Sequence, residues 1–243
     1  MSAQTALSLY FKAKDVEGHY ETVKSLHDYA GKLKGKKAVK PKDIQFFKSD
    51  QIGAADKGLK HALSLYKAAA KSAPDWPAND TALFFKSMLK SADKSGHDSQ
   101  ATKNTRQNYL NKCQQYDKAL KSFEAELVTR AGKIADHLKL MTAMKKYCQG
   151  LQKLFLQIAR IPSLLTSAEQ LHWVVLSEGA VTLTGRASSC ETTLETLRKS
   201  TDKTLKECRD QIKTNQLWIK WMKSAAPTKA GALKKNLTAS TPK

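Results

Sequence analysis

Six histidines, four cysteines and 22 acidic residues are the side chains of this 243-residue chain that could move protons, attack as nucleophiles or hold a metal. Their spacing argues against all three. His19, His27, His61, His97, His137 and His172 never fall four apart, so no single helical face carries a histidine pair of the zinc-binding kind. His137 beside Asp136 and His172 near Glu169 are close acid pairs, and such neighbours serve more often as surface or capping contacts than as a base and its orienting group. Cys113, Cys148, Cys190 and Cys208 contain no CxxC pair and fall on or next to apolar stripes, the pattern of small buried hydrophobes with reduced thiols. No GxSxG, GxGxxG, GxxxxGK followed by Ser or Thr, or HExxH is present, so the usual devices that present a nucleophile or cradle a phosphate are missing. The expectation is a protein without catalytic residues, metal or cofactor.

Binding chemistry is better represented. Forty-two Lys and Arg against 22 Asp and Glu give a net charge of +20, which favours a polyanion or an anionic surface as partner and opposes self-association through like charge. Two flexible-looking segments concentrate lysine: Lys32, Lys34, Lys36, Lys37, Lys40 and Lys42 near the start, and Lys229, Lys234 and Lys235 in the tail. Lysine without arginine or aromatic company suits point-charge contact with a phosphate backbone rather than base reading. A second contact surface is apolar. From Ile161 to Gly185 there is no Lys or Arg, and Leu164, Leu165, Leu171, Trp173, Val174, Val175, Val181 and Leu183 fall within that stretch. With Trp218 and Trp221, these residues are candidates for contact with a membrane or a partner, Glu169 and Glu178 losing charge at low pH to ease entry into a bilayer.

The elements that must position these groups are helices. Fifteen apolar residues from Leu110 to Ile158 keep a three-or-four-residue step, fourteen steps over 48 positions, the spacing of a long helix lying against a partner. No proline interrupts Thr102 to Arg160. A similar stripe runs from Ala187 to Met222, and antiparallel pairing across the neutral stretch buries both. Upstream, about Ser2 to Leu33 reads as an amphipathic helix, Gly35 to Pro41 as a basic loop, and the stretch from near Pro41, through Tyr66, to a stop before Pro74 as a helical region that Gly53 and Gly58 should break. A short helix follows the Pro74–Pro77 turn. Gly179 and Gly185 bracket a piece that reads equally as extended chain or helical turn.

The fold class is therefore all-α, an elongated helical bundle with a long antiparallel, coiled-coil-like hairpin. Three parts are expected: 1–95, an N-terminal helical region with the basic loop 32–42; 96–224, the hairpin with an apolar connector at 161–185; and 225–243, a basic disordered tail. The function expected is non-enzymatic binding and assembly, a basic helical surface meeting a polyanion or protein partner, as a component or passenger of a larger particle. The alternative is a membrane-active, pore-forming protein that inserts its 161–185 tip. Partners are then a protein or further copies through the helices, with nucleic acid or an anionic membrane surface as the charged class and no small-molecule substrate. Met1–Tyr20 lacks the pattern of a secretory signal, so cytoplasmic residence is expected, with release by specialised secretion, lysis or within a particle.

Overall fold

A computed structural model describes residues 15–34, 40–72, 74–79, 100–161 and 166–223, without the side chains of 15, 41, 49, 100–106 and 221. Every regular element among them is an α-helix: α1 (Asp15–Leu33), α2 (Pro41–Phe46), α3 (Ser49–Lys71), α4 (Gln100–Ala159) and α5 (Ser167–Lys223). The fold is an all-α bundle built on a long hairpin of α4 and α5. The expected first turns of the opening helix, the loop 35–39, the short helix after Pro77 and the tail lie outside the described residues.

Two compact units divide the chain, Met1–Ala73 with Ala131–Ser200, and Pro74–Arg130 with Thr201–Lys243. Both long helices contribute to each. In the first unit α1 packs on α3, and a single core joins Val23 and Leu26 of α1, Leu59 and Tyr66 of α3, Met141, Cys148 and Phe155 of α4, and Trp173, Leu183 and Leu194 of α5. Each fully buried large apolar side chain contributes about 1.5–3 kcal/mol relative to exposure. The helices run antiparallel there, since Lys145 meets Glu191 while Gln152 meets Ser177. In the second unit two smaller clusters form, Tyr109, Leu110, Cys113 and Met222 in one, and Tyr116, Leu120, Phe123, Leu127, Cys208 and Ile212 in the other. Trp76, from the Pro74–Pro77 segment, packs on Phe123 with ring centroids 5.1 Å apart. The antiparallel sense is the same, because Asn215 reaches Cys113 and Cys208 reaches Leu120.

Three expectations about breaks require correction. The stretch from Pro41 to Tyr66 does break, but at Phe47 and Lys48 rather than at Gly53 or Gly58, both of which are helical. Phe47 leaves the helix with ψ near 84° and becomes 1% exposed. Its ring lies 5.4 Å from Phe155 and 5.1 Å from Trp173, and its carbonyl oxygen is 3.0 Å from His172 Nε2. Burial of a phenyl ring outweighs the roughly 1 kcal/mol that a helical glycine costs. The second correction concerns the connector, which is not 161–185. Helix α4 ends at Ala159 and α5 begins at Ser167, where Thr166 and Glu169 form a capping box: Glu169 N–H donates to Thr166 Oγ1 at 3.3 Å and Thr166 N–H to Glu169 Oε2 at 2.7 Å. The third concerns the last helix, which starts at Ser167 rather than at Ala187; of the two readings of Gly179 to Gly185, the helical one holds, without interruption.

Gly58 and Gly179, read as weak points, are instead places of close approach. A Cβ on Gly179 would lie 2.8 Å from Ile52 Cγ2, and one on Gly58 would collide with the His19 ring. Hydroxyls along α5 turn inward on the helix itself: those of Thr182, Thr184, Ser189, Thr192, Thr193 and Thr196 each donate to the carbonyl four residues earlier. Polar residues in the apolar seam are accommodated unequally. Asn215 Nδ2 donates to the Cys113 carbonyl at 2.8 Å, whereas the buried Thr201 hydroxyl has no partner among the described residues.

Candidate polyanion-binding surface

Besides cations that pair within their own helix, such as Lys121 with Asp117 and Arg198 with Glu195, two groups on the long helices differ in what they touch. Lys145, Arg186 and Arg209 tie helices together: Lys145 Nζ lies 2.9 Å from Glu191 Oε2, Arg186 Nε donates to Asp56 Oδ1 at 3.0 Å, and Arg209 Nε to Glu124 Oε1 at 2.7 Å. The hydroxyl of Thr142 also donates to Glu191, at 2.6 Å, and this bond, followed by the one from Lys145, holds the Glu191 carboxyl below the usual carboxylate range. These cations are spoken for.

The second group faces water. Lys139, Lys146, Lys153 and Arg160 stand seven residues apart on α4 or at its end, and all four are exposed. Seven residues fall about 20° short of two helical turns, so the four project in nearly one direction, away from Met141, Cys148 and Phe155 in the core. Successive members lie about 10.5 Å apart and the row covers about 31 Å. Between Asp136 and Glu169 the chain has no acidic residue. Asp136 approaches Lys139 at 3.7 Å with both side chains more than 70% exposed, a contact worth little. Lys146, Lys153 and Arg160 make no ion pair among the described residues. In the second unit, Lys206, Lys213 and Lys220 repeat the seven-residue step on α5, all exposed, with Asp210 at 3.6 Å from Lys213.

Charges spaced about 10.5 Å apart exceed the ~8 Å screening length at physiological salt, so each acts as a nearly independent point contact. A row of this kind follows a regularly charged backbone.

The residues singled out from the sequence are placed less uniformly. Lys32, Lys34, Lys40 and Lys42 are exposed, while Lys36, Lys37, Lys229, Lys234 and Lys235 lie outside the described residues. Of the apolar group, Trp173 and Leu183 are fully buried in the first core, so they are packing residues rather than a contact surface. Leu171, Val174, Val175 and Val181 are exposed. Leu164 and Leu165 lie outside the described residues, as does the Trp221 side chain, and Trp218 is partly buried against the Tyr109–Met222 cluster. No described helix is long and apolar enough to cross a membrane. The four cysteines are buried and free, and burial pushes the thiols of Cys148 and Cys190 up to about 12. A sequence reading that follows apolar stripes passes over the α4 row, although its strict seven-residue spacing is present to be read. Comparison of the chain with family models, with curated proteins and with solved structures finds no match.

Proposed function

We propose that this protein is a non-enzymatic binding and assembly module that lays the outward basic rows of its long helices along a polyanion. The observation that supports this reading most is the α4 row, in which Lys146, Lys153 and Arg160 project from a stretch without a single acidic residue and make no ion pair among the described residues. A solvated surface selected only for solubility intersperses both signs. Here one sign is kept over about 31 Å. Lys32, Lys34, Lys40 and Lys42 add further exposed cations in the same unit.

The test is the salt dependence of binding to a duplex DNA of arbitrary sequence, followed by fluorescence anisotropy. Affinity should fall linearly on a log–log plot against salt, with no preference among sequences. The triple variant Lys146→Glu, Lys153→Glu, Arg160→Glu should reduce the slope by roughly 2.7, about 0.9 for each phosphate no longer neutralised. An unchanged slope in the folded variant would remove the row from the binding surface. The membrane-inserting alternative has less support, because Trp173, Leu176, Ala180 and Leu183 of its tip fill the core and Glu169 closes a helix cap.

A further inference from the structure

Opposite Trp173, Leu176 and Ala180, which face the core, the first turns of α5 carry a second apolar face. Leu171, Val174, Val175 and Val181 on it are 63%, 38%, 47% and 47% exposed. Such a row on a water-facing helix marks a docking surface. Glu178 stands exposed at its centre, and no Lys or Arg occurs from Ile161 to Gly185. Two α5 faces brought together would set Glu178 beside its own copy, which like-charge repulsion opposes. An anionic bilayer is disfavoured for the same reason. The molecule itself carries the complementary surface: the α4 row supplies Lys146, Lys153 and Arg160, with Leu156, 37% exposed, between the last two.

We propose that the apolar, acidic face of α5 in one molecule docks on the basic α4 row of a second copy, a head-to-tail contact that closes into a ring or extends as a chain. The two surfaces differ, so the contact is heterologous and each pair keeps one free surface of each kind. Valines and leucine meet the stems of the lysines and Leu156, and the charged tips of Lys146 and Lys153 flank Glu178. The net charge of +20 does not prevent this, because at physiological salt only charges within about 8 Å of the contact act strongly. Resting on the polyanion reading of the α4 row, the proposal gives that row a second occupant, so polyanion and second copy compete for it.

Sedimentation velocity of the full chain over a hundredfold concentration range at physiological salt tests this. The wild type should show a weight-average sedimentation coefficient that rises with concentration. Glu178→Lys and Lys153→Glu should each weaken association by at least about tenfold, and the double variant carrying both should recover it, because the exchanged charges again oppose one another across the interface. Circular dichroism confirms that each variant is folded. Glu178→Lys leaves the basic rows intact and should bind duplex DNA as the wild type does, so failure of self-association separates from failure of polyanion binding. A wild type that stays monomeric throughout, a Glu178→Lys variant that associates normally, or a double variant without recovery would each overturn the proposal. Monomeric wild type that co-sediments with phosphatidylcholine vesicles would overturn it too, and would assign the face to a bilayer instead.

Discussion

Burial changes what individual side chains can do, and His137 carries the largest consequence. Its Nδ1 lies 2.6 Å from the Tyr66 hydroxyl, and desolvation pushes the ring down to about 4, with Asp136 opposing. The folded protein therefore keeps the ring neutral while the unfolded chain, near 6.5, takes up a proton first. Stability contributed by the neutral ring is present above pH 6.5 and is lost as pH falls toward 4. Thermal melts across that window should show a steeper decline for the wild type than for His137→Phe, whatever the starting difference between them. Equal declines would contradict the depressed value. The sequence exposes part of this. His137 next to Asp136 reads as a surface acid pair, but the partner that matters is Tyr66 on α3, 71 positions earlier, and only packing brings it near. Glu169 illustrates the reverse, since the Thr166–Glu169 spacing of a capping box is visible in the sequence and the structure uses it. The α4 row is equally visible, yet it repeats at seven residues and is hidden among lysines that occur throughout.

At the scale of elements, glycine separates what propensity says from what packing demands. Gly132 and Gly185 are helical with open space where a Cβ would stand, whereas Gly58 and Gly179 lie under His19 and Ile52. Alanine at either of the first two should stabilise by about 0.5–1 kcal/mol. At Gly58 or Gly179 the same change should destabilise, because a neighbouring side chain must move before the methyl fits. Urea unfolding of the four single variants would show the opposite signs. If all four shifted the midpoint in one direction, the close approaches would not exist as described. The same contrast explains why the long helices are legible in the sequence while the interruptions are not. Apolar steps from Leu110 to Ile158 record burial along one face, and all but Ala131 are buried. Phe47 breaks its helix for contacts with Phe155 and Trp173, more than a hundred residues away, and no local signal announces them. The hydroxyl-rich turns of α5 around Thr182–Thr196 have weak intrinsic preference for helix, which is why that region reads ambiguously; Leu183, Ala187, Cys190 and Leu194 hold it in place from the core side.

Taken as a whole, the molecule distributes its apolar burial unevenly. Four helices share the core of the first unit, including Phe155, Trp173 and Tyr66. Among the described residues the core of the second draws on two helices and Trp76, and it carries Arg130, whose Nε is buried without a partner there. Local opening costs less where fewer apolar contacts resist it. Hydrogen exchange should therefore report stronger protection for amides between 134 and 158 and between 173 and 197 than for those between 109 and 127 or 205 and 222. Uniform protection along both helices would show that they open as one. The all-α class and the long hairpin follow from periodicity, since every stripe runs at helical spacing and none alternates. The division of burial does not, because it depends on whether α1 and α3 lie beside a given stretch of the hairpin.

The antiparallel pairing also sets a delay during synthesis. Cys113 accepts its hydrogen bond from Asn215, 102 positions later, and at ~5–20 residues per second the ribosome needs roughly 5–20 s to deliver that partner. Throughout that interval the seam around Leu110, Tyr116 and Phe123 lacks its α5 partners. A nascent chain of this design is a natural client for a chaperone that shelters apolar helices until the returning half of the polypeptide arrives.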